Sequence, residues 1–237
     1  MLVGHIGVRS GSRGLKNKNF RLICGRPLLS WSLEALLDSG CVDEVFVSTD
    51  CPEMYEYSLK FGCLDLGLRD PALCDDLTPK FDVWQDSIRK ICQGRDLFEG
   101  LVDLDCTSPL RTLGDIRSAV SLFQTSNNVD LIMSCSEARK NPYFNLVEER
   151  NDGTLFVSKS CFDGEIVGSR QIAPRVLEHV ASIYVMNPVA VMERKNLWQL
   201  NVKPFMMPYE RSFDIDTITD FKIVELLLNE QIKDGFR

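Results

Sequence analysis

The sequence predicts an α/β protein built on a doubly wound, largely parallel sheet. Short apolar runs alternate with helix-patterned segments from the first residues onward, proline and glycine punctuate the helices, and the pitch of the alternation leaves a helix between successive strands. At 237 residues this is expected to be one domain, 1–237, interrupted by one small β-rich insertion at about 137–180.

Leu2 to Val8 reads as the first strand, running into a glycine-rich, basic loop. Pro27 suits a first helical position, Leu29, Leu33, Leu36 and Leu37 recur at helical spacing, and Gly40 closes that helix. Glu44 to Thr49 is a second strand, and Pro52 opens a second helix. Thr78 and Pro79 read as N-cap and first residue of a helix reaching about Gly94. Leu101 to Leu104 is a buried-looking strand, followed by a loop and a helix from near Thr112, and Asp130 to Ser134 is a further strand.

The alternation breaks between Glu137 and Val180, where turn signals separate two β-prone pieces, Phe144 to Val147 and Thr154 to Val157. Ser182 to Met186 returns to the sheet. Phe205-Met206-Met207 reads as core. The last helix starts at Thr217, with Asp220 completing a capping box, and ends near Gly235.

A hydrophobic fraction of 44% fits a globular protein, and no apolar run is long enough to span a bilayer. The net charge of −7 argues against a general nucleic-acid binder, so anionic ligands must be drawn by local charge. Nine scattered cysteines with no C-x-x-C read as reduced thiols. The amino terminus enters a strand directly, and the expected location is cytoplasmic, with no membrane and no nucleic-acid partner.

Two constellations carry chemistry. From Arg9 to Arg26 there are six basic residues and no acidic one, threaded by glycines and serines that let the backbone turn and offer donors to phosphate oxygens. The loop fits neither G-x-x-x-x-G-K-[ST] nor G-x-G-x-x-G. The second constellation is Asp214-Ile215-Asp216. On an extended backbone both carboxylates share a face, which suits Mg²⁺ bridging to phosphates, although the same pattern can serve as a helix cap. Ser48-Thr49-Asp50 and Asp105-Cys106-Thr107-Ser108-Pro109-Leu110-Arg111 are polar loops at strand ends, where such sheets bind ligands. A helix cap and an ordinary turn are their plainer readings. Arg69 lies in a long irregular loop.

Taken in order, these segments resemble the acylneuraminate cytidylyltransferase family. Arg9 to Asn19 looks like its A-R-x-x-S-K-G-x-x-x-K-N loop. Gly25-Arg-Pro-Leu28, Ser48-Thr-Asp50, Thr107-Ser-Pro-Leu-Arg111, Ser182-Ile-Tyr-Val185 and Ser212-Phe-Asp-Ile-Asp-Thr217 follow in the family's order over almost the whole chain. The resemblance implies a nucleotide-diphosphosugar transferase fold, Mg²⁺ dependence and a homodimer. The expected reaction joins CTP and a nonulosonic (sialic-acid-like) acid, giving the CMP-sugar and pyrophosphate.

It also implies roles. Arg9, Ser12, Arg13 and Lys18 would hold the triphosphate, Asn19 the ribose and Arg69 the base; Asp214 and Asp216 would bind metal. Asp105, Thr107, Ser108, Arg170 and Tyr184 would line the sugar site. Arg9, Lys18, Asp214 and Asp216 form the expected catalytic set, with no general base assigned.

Three positions depart from the family pattern. Asp105-Cys106 stands where a glutamine usually precedes P-T-S-P-L-R, Glu178 where a second arginine is usual, and Val180 where an asparagine is usual. Octulosonate cytidylyltransferases lack the T-S-P-L-R loop. GTP in place of CTP, and a catalytically silent binder, remain the alternatives.

Overall fold

The computed structural model describes residues 1–11, 14–160, 167–169 and 171–235. In chain order it contains β1 (Leu2–Gly7), the short hairpin strands β2 (Leu22–Ile23) and β3 (Arg26–Pro27), α1 (Leu28–Ser39), β4 (Glu44–Ser48) and α2 (Pro52–Phe61). Next come α3 (Lys80–Ile91), β5 (Gly100–Leu104), α4 (Leu113–Thr125) and β6 (Leu131–Glu137). The chain continues through β7 (Val147–Glu149), β8 (Leu155–Val157), β9 (Leu177–Met186), α5 (Pro188–Glu193), β10 (Val202–Met206) and α6 (Ile218–Lys233).

Six strands form one sheet in the order β10-β6-β9-β5-β1-β4. β5, β1 and β4 run parallel, as do β10 and β6, while β9 is antiparallel to both β5 and β6. Strand periodicity then divides the core. Leu2, Ile6, Val102 and Leu104 face the layer holding Leu29, Leu33, Ile116 and Val224, from α1, α4 and α6. Val3 and Leu101 face Phe81, Trp84 and Ile88 of α3 and Val191 of α5. Helices therefore cover both faces, as the sequence pattern required, and each fully buried large side chain contributes roughly 1.5–3 kcal/mol.

Helix boundaries differ in instructive ways. Pro27 is the N-cap of α1 rather than its first residue, because it still belongs to β3, paired with Leu22 in the β2–β3 hairpin. Pro79, not Thr78, caps α3, so Lys80 is the first helical residue. The capping boxes at Thr112/Asp115 and Thr217/Asp220 are both formed.

Phe144 to Val147 is not a strand. The amides of Phe144, Asn145 and Leu146 all turn back onto the Asn141 carbonyl, so pairing starts only at Val147. β6 and β9 extend into the region expected to be insertion. Phe205 and Met206 lie on the edge strand β10, where Met206 is 38% exposed, and only Met207 is buried core. All eight described cysteines are free. Among the described residues no helix is long and apolar enough to cross a membrane.

Candidate active site

The basic loop leaves the carboxyl end of β1, where the Val8 amide donates to Ser48 O on β4. Ser10 then donates through its amide and hydroxyl to Asp50, at 2.7 and 2.6 Å. Although burial acts to raise the Asp50 pKa, these bonds hold it below the ordinary carboxylate value. Asp50 therefore anchors the loop and does not cap α2, whose N-cap is Cys51 with no side-chain bond. Asn19 is buried and donates to Arg9 O at 3.2 Å, closing the loop's base. Arg9 pairs with Asp76 and reaches Cys74 O. Two other basic residues of the stretch are structural: Arg26 pairs with Glu34 and lies over Trp31, and Arg21 lies over Phe221. Ser12 and Arg13 lie outside the described residues.

The far end of the loop meets the Asp214-Ile215-Asp216 segment. Lys18 Nζ donates to Ile215 O at 2.6 Å and to Asp216 Oδ1 at 3.0 Å. Gly14 packs so closely that a Cβ there would fall 2.0 Å from Asp216 O, and only glycine fits. Ile215 is wholly buried and its amide donates to Thr107 O, while Asp214 and Asp216 are exposed. The two carboxylates thus project from one face, as the alternation predicted. Neither caps α6, because Asp220 accepts from Thr217 N and Thr217 Oγ1. The Asp214 pKa is raised by partial burial and by the charge of Asp216. An exposed carboxylate pair that repels itself beside phosphate donors fits a hard divalent cation. Among the described residues there is no cluster of three or more metal-ligating side chains, so further ligands would have to come from substrate or water.

Two cavities are lined by residues of these segments. One, of about 210 Å³, is lined by Arg9, Arg69, Asp76, Lys80, Trp84 and Asp105 among others. Arg69 is buried there, two of its donors engaged by Ser48 Oγ and Ser48 O, and burial lowers its pKa. The other, about 740 Å³, opens between β9 and the aspartate segment and is lined by Arg139, Lys140, Glu178, His179, Tyr209 and Asp214 among others.

The remaining expected site residues are placed unevenly. Asp105 is paired with Lys80 at 2.6 Å and stands on the smaller cavity. Thr107 braces the aspartate segment through its carbonyl. Ser108 is wholly buried, and Tyr184 is 2% exposed behind the cavity wall, its hydroxyl 2.9 Å from His179 Nε2. Arg170 lies outside the described residues. Arg111 is buried, donates to Ser182, Ser32 and Asp105 O, and has its pKa pushed down by burial to about 10; it ties the loop to β9 and α1. Sequence reasoning did not single out Lys80 or Asp103, and it gave His5 and His179 no role in the site. The signal available was a second same-face pair, Asp103-Leu104-Asp105, ending a strand, and a lone histidine inside the apolar strand β1.

The sheet thus brings a basic loop and a carboxylate pair together, an arrangement suited to handling a polyphosphate. The structure is similar in fold to CMP:2-keto-3-deoxy-manno-octonic acid synthetase complexed with CTP, with a TM-score of 0.68 at 17% identity, covering 97% of this chain and 99% of that one. A cytidylyltransferase family model matches residues 5–99. The chain is 35% identical to CMP-N,N'-diacetyllegionaminic acid synthase of Campylobacter jejuni, over 94% of this chain and 93% of that protein. It is 34% identical to the post-translational flagellin modification protein B of Campylobacter coli, over 95% and 94%. The chain belongs to the cytidylyltransferase family of CMP-nonulosonic acid synthases.

Proposed function

We propose that this protein activates a nonulosonic acid with CTP, giving the CMP-sugar and pyrophosphate, and that its preferred acceptor is a diacylated acid of the legionaminic type. The observation that carries the reading is the contact of Lys18 with Asp216 and Ile215 O, which joins the basic loop to the carboxylate pair. The anomeric oxygen of the sugar bonds to the α-phosphorus, the bond from that phosphorus to the bridging oxygen breaks, and the anomeric hydroxyl proton is released. Such displacement is catalysed mainly by positioning and charge neutralisation.

Arg9 and Lys18 would neutralise the triphosphate, the role the family resemblance also gives Ser12 and Arg13. Asn19 and Arg69 would hold the nucleoside. Asp214 and Asp216 would hold Mg²⁺, which when bound offsets charge on the phosphates and the leaving pyrophosphate. The 740 Å³ cavity beside Asp214, lined by Arg139, Lys140, Glu178 and His179 among others, suits the acceptor.

Pyrophosphate release measured as a grid tests this: CTP, GTP, UTP and ATP against N,N'-diacetyllegionaminate, pseudaminate and N-acetylneuraminate. The highest kcat/KM is expected for CTP with the legionaminate. GTP exceeding CTP would overturn the nucleotide assignment, and N-acetylneuraminate leading would overturn the acceptor assignment.

We also infer a homodimer joined partly through the arm from Glu137 to Val180. The arm leaves Phe144, Leu146, Val147, Leu155 and Ile172 exposed, apolar surface that a second copy would cover. Sedimentation at micromolar concentration should give a dimer, and a monomer there refutes it.

A further inference from the structure

The transfer releases one proton, from the anomeric hydroxyl, and no group assigned so far takes it. The chain has two histidines. His5 is wholly buried in the sheet, with Nδ1 2.6 Å from Asp103 Oδ1 and Nε2 2.9 Å from Ser87 Oγ, so both of its nitrogens are engaged. His179 lies on β9 and lines the larger cavity, as does Asp214 of the carboxylate pair. Its Nε2 is 2.9 Å from the Tyr184 hydroxyl, and among the described residues its Nδ1 has no hydrogen-bond partner.

The direction of the hydrogen bonds fixes which nitrogen of His179 carries the proton. Asp105, paired with Lys80 at 2.6 Å, is a carboxylate and can only accept. It is hydrogen-bonded to the Tyr184 hydroxyl, so the single proton of that hydroxyl goes to Asp105. The Tyr184 oxygen is left as an acceptor, and the contact with His179 is Nε2–H donating to it. Neutral His179 is therefore the Nε2–H tautomer, with its lone pair on Nδ1. Burial lowers the His179 pKa, the charge of Asp105 opposing this and that of Lys80 adding to it, so the ring is neutral at neutral pH. Glu178 precedes it on β9 and Cys135 is its register partner on β6. Arg139, Lys140, Tyr209 and Asp220 complete the charged and titratable lining of the cavity.

We propose that His179 is the general base of the transfer, accepting the anomeric hydroxyl proton on Nδ1 while Tyr184 holds the ring through Nε2–H. This rests on the cytidylyltransferase reading above, with the sugar acid in the larger cavity. The O–H bond breaks and an N–H bond forms on Nδ1. An electron pair of the freed oxygen forms the bond to the α-phosphorus, and pyrophosphate leaves with the pair of the broken bridging bond. The imidazolium so formed keeps its second N–H on the Tyr184 oxygen, in a chain that ends on the Asp105 carboxylate. A positioned general base contributes about 10²–10⁴-fold to rate.

Two measurements on the full chain test it. Nitrogen NMR of the histidine-labelled wild type, with only two imidazoles to assign, should find the neutral His179 proton on Nε2. A proton on Nδ1 overturns the proposal whether or not the protein is active. Steady-state kinetics with CTP and N,N'-diacetyllegionaminate should show that His179→Ala lowers kcat about 10²–10³-fold and leaves both KM values within about threefold. The wild-type kcat should fall in acid, below the His179 pKa, and the variant should lose that limb and regain rate with added neutral imidazole. A kcat lowered less than about tenfold overturns the proposal, and so does a lowered kcat that keeps the acid limb. Should alanine disturb β9, His179→Gln is judged by the same kcat and pH profile. Wild-type protein that releases no pyrophosphate from CTP with any of the sugar acids would instead overturn the functional reading, and the proposal with it.

Discussion

The chain contains two D-x-D segments of the same design and opposite use. Asp103-Leu104-Asp105 ends β5, and Asp214-Ile215-Asp216 precedes α6. In each the middle residue is wholly buried, and in each a lysine meets the carboxylates, Lys80 in the first and Lys18 in the second. In the first pair Asp103 is inaccessible, and one ammonium bridges both carboxylates. In the second both aspartates face solvent and Lys18 touches only Asp216. The first pair is therefore neutralised from within the chain, whereas the second keeps charge to offer outward. The D-x-D spacing specifies a shared face and nothing about who supplies the cation. Burial and the reach of one lysine decide that.

The largest effect that tests this contrast is on stability. Asp103→Asn should lower the unfolding free energy by about 3–5 kcal/mol, the usual result of removing one partner from a buried pair. Asp214→Asn, on an exposed segment, should stay within about 0.5 kcal/mol. Burial alone would raise the Asp103 pKa, but the Lys80 charge and the His5 bond outweigh it and hold it well below the ordinary value. Its stabilisation is thus fully present above the unfolded carboxylate pKa of about 3.9 and is lost as pH falls through the lower folded value. Urea unfolding at neutral pH and in acid measures both. Equal midpoints for wild type and Asp103→Asn at neutral pH would erase the distinction between the two pairs.

The same contrast explains how far the sequence could be read. Strand and helix order was legible because the apolar periods of 2 and 3.6 are strong in β1, α1, β4, β5 and α6, and because the boxes at Thr112 and Thr217 are local chemistry. β10 and α5 were missed: β10 is a half-exposed edge with a proline in it, and α5 is only six residues long. At the site, Arg9, Lys18, Asp214 and Asp216 were legible because each sits in a dense local pattern. Lys80 was not, since its partners are supplied by another strand and it stands where helix-dipole rules discourage a cation. Its meaning is entirely tertiary. Asp105 was read as a residue facing substrate, and its partner inside the protein could be found only from the packing of α3 against β5.

The second effect is catalytic and falls on the other pair. Asp216 is 73% exposed at its side chain and pairs with Lys18. An asparagine there keeps an oxygen for Lys18 and disturbs no packing, so the urea midpoint should not move. Pyrophosphate release should nevertheless fall about hundredfold, near 2.7 kcal/mol at 1.36 kcal/mol per decade, the typical loss when one preorganised charge-stabilising group is removed. The asparagine oxygen is a weaker ligand for a hard cation than a carboxylate, so raising Mg²⁺ should recover part of the rate and shift its half-saturation upward. The charge of Asp216 also helps raise the Asp214 pKa, and the substitution should relax that shift, leaving Asp214 ionised but without its companion. A bound cation needs both carboxylates on one face, so one remaining aspartate cannot substitute by being more acidic. Full activity of Asp216→Asn in excess Mg²⁺ would show that the exposed pair, like the buried one, needs no cation from outside the chain.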